Sequence, residues 1–490
     1  MDELVRRITL LVTDGHSHLT MVRNTDGFLS RPDTQDAVRR EGGVLLLPIE
    51  SSIELRVRYE LEDRKSEQKV CYVIEGDVVL LPDMKPCITD KGSVNLSDFM
   101  PAYDALQIKK AALSWSMASD MYRQKYTCNL SPMQTQDVLM SAENIYGDSV
   151  EKIIEDLRGI KLEWENARTI HNLSEVILRA IRNGCYNDIR AIVGQINDDF
   201  QNWLNGYYFS LSSTSYVKRP KLVNRILPHI AYKHERQEKV ALVVIDGMAY
   251  WQYLVLDKYL HDKGMQPDND ITMAWIPTIT KLSRQAIFRG DCPQLSYQQN
   301  PSAEERLWKN FWTSPSRKSK RMDEYELAYE HGSLCTGSDA PMRLALVDVD
   351  LDEKMHASTD NKDLYVLTDN WASKAAEDIL TIHNMGYTIY ITTDHGNVFS
   401  HGWRGLNSQE KTFLYKDGSR GARHLIYNDI APMNDFIAAN HESANCWMQG
   451  DKWLVWKTDQ CFKQGDCITH GGSHFLEVII PFITIKSPIK

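Results

Sequence analysis

The chain has 490 residues, 42% of them hydrophobic and 25% charged, and a formal net charge of −10 at pH 7. That length predicts two or three domains with a large core. The acidic balance excludes wholesale attraction to nucleic acid or an anionic membrane, so a polyanionic partner would need a local basic patch or a metal. Nine cysteines are scattered from Cys71 to Cys467 without a CxxC pair, which fits reduced thiols better than a disulfide framework. The opening MDELVRRITLLVTDGH carries too short an apolar run for a signal peptide, and no apolar span of about 18 residues follows. A soluble, cytoplasmic protein without a membrane partner is expected.

Residues 1–100 alternate short apolar runs (ITLLV, GGVLLLPI, KVCYVIEGDVVLLP) with helix-prone segments such as SSIELRVRYELEDR, the pattern of a small α/β domain. Asp14-Gly15-His16 ends ITLLVT and reads as a strand-ending turn, because no partner residues follow at useful spacing. From 101 to 235 the periodicity is helical. Ile153, Leu157 and Ile160, then Ile170, Leu173, Val176, Ile177, Ala180 and Ile181 recur at three- and four-residue steps. Ser149 and Asn172-Leu173-Ser174-Glu175 serve as helix starts. Trp115, Tyr122, Tyr126, Trp164, Trp203, Tyr207 and Tyr208 read as core rather than base-stacking platforms. SLSSTSYVKRPKLVNR is a polar connection to the third region.

From 236 to 490 strands and helices alternate. VALVVI, ITMAWI, LALVDV, YTIYIT, KWLVWK and EVIIPFITI are the strand candidates, and NWASKAAEDILTIHNMG is a helix ending at a glycine suited to its C′ position. This predicts a doubly wound α/β sheet. Val240–Ile245 has no polar alternation, as in a strand buried on both faces. Asp246 follows at its carboxyl end, where open α/β sheets place ligands.

Further groups gather at the same kind of position. Thr280 ends ITMAWIPTIT, Asp352 and His356 follow LALVDV, Asp394 and His395 end YTIYITTDH, and His470 precedes the last strand. Each has a plain structural explanation: a helix cap for Thr280, helix-surface neighbours for Asp352 and His356, a polar turn for Asp394 and His395, a solvated loop for His470. Together, three Asp, three His and a Thr at one sheet edge suit two divalent metal ions, zinc first and manganese as the alternative. Two metals about 3.5–4 Å apart can stabilise both the attacking and leaving oxygens of an in-line phosphoryl displacement.

The order D-G, P-T-x-T, D-x-x-x-H, D-H-G and a late H-G-G resembles the alkaline phosphatase superfamily, and specifically its PglZ branch. DGM after a buried strand, PTITKLSRQAIFRG, SRGARHLIY and the closing HGG…EVIIPF carry the resemblance over 236–490. The small α/β unit and helical middle are similar, less specifically, to the amino-terminal part of PglZ proteins. The resemblance implies an alkaline-phosphatase-like doubly wound sheet preceded by that α/β unit and helical region. It implies one metal held by Asp246, Asp394 and His395 with Thr280 as nucleophile, and another held by Asp352, His356 and His470. Thr278 competes with Thr280, which is preferred as the last residue of P-[ST]-x-T. Asp348 and Asp350 compete with Asp352, but alternation gives them strand positions. His474 competes with His470, because Ser473-His474 stands where the branch has Leu-Ser.

The implied activity is that of a metal-dependent phosphodiesterase acting on nucleotides or oligonucleotides. Its expected setting is a bacterial anti-phage defence system of the BREX type, with other defence proteins as partners, or a PglZ signalling system. A phosphomonoesterase or phosphomutase, and a non-catalytic assembly subunit, are the alternatives. The basic run Arg317–Arg321 reads as a solvated loop, with contact to backbone phosphates as the other reading. The cations nearest the motifs are Lys281, Arg284, Lys354 and Arg404. None follows a pattern that fixes it beside a ligand, and Arg284 is expected to face back along its helix. A singly charged diester is therefore expected to react faster than a monoester, unless the 419–424 loop delivers Arg420 or Arg423.

Overall fold

Val240–Ile245 is buried at all six positions and lies inside a six-stranded sheet, between Arg343–Asp348 and Thr388–Thr392, parallel to both. A strand covered on both faces and hydrogen-bonded on both sides tolerates no polar side chain, which accounts for its unbroken apolar run. The protein is described here by a computed structural model covering residues 2–488 apart from 75, 112, 114, 125, 127, 147–148, 212–217 and 336–339. The polar connection expected around 210–225 lies partly outside the described residues.

The chain divides into two compact units, Met1–Asp156 and Leu157–Lys490. The first contains a four-stranded parallel sheet in the order Val44–Ile49, Lys69–Ile74, Leu19–Arg23, Thr89–Ser93. ITLLV is not one of its strands. It belongs to the helix Glu3–Val12, capped by Asp2, whose Leu4, Val5, Ile8 and Val12 are buried on one face. The helical period of those positions outweighs the short apolar run. Asp14 closes a local turn, accepting from the His16 amide at 3.2 Å and from Thr89 at 3.0 Å.

The second unit holds the six-stranded sheet, ordered Pro267–Met273, Ile479–Ile485, Thr388–Thr392, Val240–Ile245, Arg343–Asp348, Leu327–His331. All run in one direction except Ile479–Ile485, which is antiparallel to both neighbours. The expected ITMAWI strand is shifted to Pro267–Met273, and Leu327–His331 was not among the candidates. Both are edge strands with polar residues, where one side need not be covered. KWLVWK contributes Trp453–Trp456 to a separate antiparallel sheet with His424–Ile426 and Trp447–Gln449. Its core is aromatic, built on Trp447, Trp456, Phe436 and Phe462.

Helices Ala167–Arg182, Tyr250–Asp262 and Asn361–Asn384 pack together in this unit. The first begins at Asn166, whose side chain accepts from the Arg168 amide, so the expected start at Asn172 falls inside it. Asn361–Asn384 ends with Gly386 at φ 88°, the left-handed cap its sequence suggests. No helix among the described residues is long and apolar enough to cross a membrane.

The turn carrying Asp394 and His395 is wedged against the backbone of another segment. A Cβ on Gly396 would come within 2.0 Å of the Leu476 carbonyl oxygen and 3.1 Å of the Ala249 Cα. Gly396→Ala should therefore destabilise the protein by about 1–3 kcal/mol, the usual cost of overpacking. Urea denaturation measures this, and an unchanged midpoint would mean the turn can move aside.

Candidate metal centre

Sheet direction explains how residues far apart in sequence come together. Asp246, Asp394 and the Asp352 helix follow the carboxyl ends of neighbouring parallel strands, and Thr280 follows Pro267–Met273 at the same edge. His470 precedes the antiparallel strand, whose start lies at that edge too. A second pairing brings it closer. Val398–Gly402 runs antiparallel to Cys467–Thr469, with Val398 opposite Thr469. His395 and His470 thus flank one ladder, and their rings stack at 3.9 Å with 9° between planes.

The donor atoms of Asp246, Asp394 and His395 lie within 4.8 Å of one another, and so do those of Asp352, His356 and His470. Five of these residues are buried and His356 is half-buried. His395 Nδ1 donates to the Gly396 carbonyl at 3.0 Å, and His470 Nδ1 donates to the Thr278 carbonyl at 2.8 Å. A carbonyl only accepts, so the proton sits on Nδ1 and the Nε2 lone pair of each neutral ring is left for a cation. Burial pulls the pKa of both rings down, helped for His470 by His395, and burial with Arg420 pulls His356 down to about 4.

The carboxylates show the same crowding. Burial and then the charge of Asp246 push Asp394 well above the usual carboxylate range, and push Asp352 up to about 7. Burial also pushes Asp246 up, but Arg284, His395 and Asp394 together outweigh it and hold this carboxyl low. Asp394 Oδ1 accepts from the Gly247 and His395 amides at 3.1 and 3.0 Å. Asp394 Oδ2, Asp352 Oδ1 and His356 Nε2 are buried without a hydrogen-bond partner. Orphaned donors of this kind, carboxylate oxygen and imidazole nitrogen, fit a pair of divalent cations. Gly247 keeps the two groups adjacent: it has φ 73°, and a Cβ there would stand 3.1 Å from Asp352 Oδ1.

Thr280 is the first residue of the helix Thr280–Arg289. Its hydroxyl lies 3.2 Å from His395 Nε2 and 3.5 Å from Asp246 Oδ1. The Thr278 hydroxyl is buried and spent elsewhere, accepting from the Gly471 amide at 3.0 Å and donating to the Gly472 carbonyl at 3.0 Å. Thr278 therefore ties its loop to the one carrying His470. Asp348 is engaged by the Trp371 indole and the Asp350 amide. Asp350 starts the helix Asp350–Ala357, not a strand position, and pairs with Lys354 at 2.6 Å. His474 is buried at the start of a short helix, where its Nδ1 accepts from the Leu476 amide.

Two arginines join the site. Arg284 does not face back along its helix: one turn after Thr280, its Nη1 donates to Asp246 Oδ2 at 2.6 Å. Its Nε and Nη2 donate to both oxygens of the fully buried Glu304 at 2.8 and 2.9 Å. The four-residue step from Thr280 to Arg284 is the sequence signal that points to it. Arg420 reaches Asp352 Oδ2 at 2.5 Å from a distant loop, so of the two arginines that loop could deliver, folding selects this one. Lys281, Lys354 and Arg404 instead meet Tyr415, Asp350 and Glu410. Arg423 is buried against Glu477 and backbone carbonyls.

Residues 226–485 match the family described as the BREX system PglZ alkaline phosphatase-like domain, over more than half of the chain. The chain belongs to this family. Membership supports a phosphoester hydrolase with an alkaline-phosphatase-like α/β fold. Among solved structures, phosphonoacetate hydrolase from Sinorhizobium meliloti 1021 is similar at 12% identity and TM-score 0.31, over 51% of this chain and 90% of that one. Murine ectonucleotide pyrophosphatase/phosphodiesterase 5 is similar at 12% identity and TM-score 0.34, over 50% and 88%. Its human counterpart is similar at 11% identity and TM-score 0.36, over 51% and 88%. Comparison with curated proteins finds no match.

Replacing Arg284 by Met leaves Asp246 and Glu304 buried without their cation. A loss of roughly 3–5 kcal/mol is expected, as for other broken buried pairs. Chemical denaturation of metal-free protein checks it, and a loss under about 1 kcal/mol would mean water or protonation replaces the arginine.

Proposed function

We propose that this PglZ domain is a two-metal phosphoric ester hydrolase that uses Thr280 as nucleophile. The observation that carries the reading is the pair of buried Asp/His groups with the Thr280 hydroxyl against one of them. Asp246, Asp394 and His395 would hold one divalent ion, and Asp352, His356 and His470 the other. Zinc suits this mixture of nitrogen and oxygen donors best, with manganese as the alternative. When bound, such ions lower the pKa of a coordinated hydroxyl and neutralise charge developing on phosphate oxygens.

The chain's own residues supply the rest. Thr280 begins a helix, so amide N–H groups at that end face an approaching anion. The Thr280 oxygen attacks phosphorus, its proton leaves to solvent, and the bond to the leaving oxygen breaks in line. Water then hydrolyses the phosphothreonine, releasing phosphate or a phosphomonoester and restoring the hydroxyl. Asp394 accepts two backbone amides, and the two histidine tautomers are set by carbonyls. Little reorganisation is then left for the reaction itself.

The substrates proposed are phosphodiesters of nucleotides or oligonucleotides, cut within a bacterial defence system that includes partner proteins. Phosphomonoester hydrolysis is a second reading that Arg420 favours. The expectation of faster diester cleavage rested on there being no cation beside a ligand, and both Arg284 and Arg420 stand there. Arg284 is engaged by two carboxylates, whereas Arg420 keeps donors free beside Asp352.

About two divalent ions per chain are expected after zinc reconstitution, and fewer in Asp394→Ala and His356→Ala. Elemental analysis tests this, and near-zero metal in the wild type would end the two-metal reading. Thr280→Ala should lose at least about a hundredfold in turnover while remaining folded and metallated. If Thr278→Ala is the inactive variant and Thr280→Ala turns over normally, the nucleophile is misassigned.

A further inference from the structure

The 417–424 segment is anchored on the His470 loop. Asp417 Oδ2 meets His424 Nε2 at 2.8 Å, and Asp417 Oδ1 accepts from the Ser419 amide at 2.8 Å. The Ala422 amide donates to Thr469 Oγ1 at 2.9 Å, and the Arg423 amide donates to the His470 carbonyl at 3.2 Å. Gly421 lies so close to His470 that a Cβ would stand 2.8 Å from its carbonyl oxygen. These contacts hold the backbone on either side of Arg420 in place.

Arg420 itself is held differently from the other arginines near the site. Its side chain is 57% exposed, and Asp352 is its only hydrogen-bond partner among the described residues. Arg284 and Arg423, by contrast, are buried and face several protein acceptors each. A guanidinium carries five N–H donors in a planar fork suited to two phosphate oxygens. The donors Arg420 does not spend on Asp352 are therefore left on an exposed side chain that touches one member of the Asp352, His356 and His470 group.

Resting on the phosphoester reading above, we propose that Arg420 is a specificity-determining residue that binds the non-bridging oxygens of the substrate phosphate. It should count most for a phosphomonoester dianion, which presents one more anionic oxygen than a diester. A charge-assisted hydrogen bond to that oxygen is lost with the side chain. Methyl-sized replacement leaves nothing to take its place.

The experiment uses the full chain, reconstituted with zinc, as wild type, Arg420→Ala and Arg420→Lys. Three quantities are compared: kcat/KM for p-nitrophenyl phosphate and for its bis ester, the Kd of inorganic phosphate by calorimetry, and metal content. In Arg420→Ala, the monoester kcat/KM should fall at least about tenfold further than the diester value. Phosphate affinity should fall at least about tenfold too, with metal content unchanged. Arg420→Lys keeps the charge without the fork and should recover part of each loss. Equal losses on both esters with phosphate affinity intact, or loss of metal from Arg420→Ala, would overturn the proposal and leave Arg420 as a support for Asp352. If the wild type cleaves neither ester, the hydrolase reading fails by itself. Phosphate affinity still decides for Arg420, a drop supporting the proposal and equality overturning it.

Discussion

Crowding of like charge at one buried sheet edge is the constraint to which the rest of the catalytic unit answers. Asp246, Asp352 and Asp394 are buried within one neighbourhood, and the charge of Asp246 adds to burial in raising the cost of ionising the other two. Three unpaired carboxylates could not all remain charged there without several kcal/mol of penalty per ion. The chain meets part of this cost with its own ion pairs, through Arg284, whose guanidinium joins Asp246 to Glu304. The unpartnered oxygens of Asp394 and Asp352 carry the remainder, and divalent cations are the natural counter-charge. Glu304 in turn accepts from the Tyr329 hydroxyl at 2.5 Å, so the edge strand Leu327–His331 helps support the site.

The same constraint sorts the arginines. A cation that stabilises a ligand in the resting protein must be immobile and saturated, and Arg284 is both: enclosed, bidentate to one carboxylate and single-armed to another. A cation that reads a phosphate must keep donors free and reach solvent, as Arg420 does. Placing the first on the Thr280 helix and the second on a loop follows from those needs. Helix spacing gives Arg284 a fixed distance from Thr280, while a loop lets Arg420 present its fork at the rim.

Much of the site was legible because its residues sit at the ends of strands with strong local signatures. VALVVI, LALVD and TIYIT are central or near-central strands, so their apolar runs had no other reading, and each leads into a candidate ligand. The edge strands were less legible because their exposed sides permit PDNDITM and LAYEH. ITLLV misled because a five-residue apolar run fits a strand or one face of a helix equally well, and Asp2 capping with burial at Leu4, Val5, Ile8 and Val12 settles it as helix. The helices read as one middle region are divided between two compact units, since helical periodicity reports a buried face and not the body that buries it. Arg420 could be named only as one of two cations its loop could deliver, because it lies 68 residues from Asp352 in sequence and no spacing ties the two.

Charge in the sequence and charge at the surface are different things, and the basic run shows why. Arg317 lies over the Phe311 ring at 3.7 Å and donates to that residue's carbonyl. Lys320 meets the Tyr232 carbonyl and Glu235, and Arg321 donates to the Thr313 carbonyl at 2.9 Å. Two of the four cations, Arg317 and Arg321, thus fasten the end of the helix Pro301–Thr313, and Lys320 ties the run to Tyr232 and Glu235, instead of forming a track for a polyanion. That helix carries Glu304, the carboxylate that holds Arg284. The basic run therefore packs on the carboxyl end of the helix whose first turn carries Glu304, and Glu304 in turn holds Arg284 against Asp246. On the hydrolase reading proposed above, an acidic protein needs no basic surface to meet a phosphate ester, because Arg284 and Arg420 gather positive charge beside the candidate ligands.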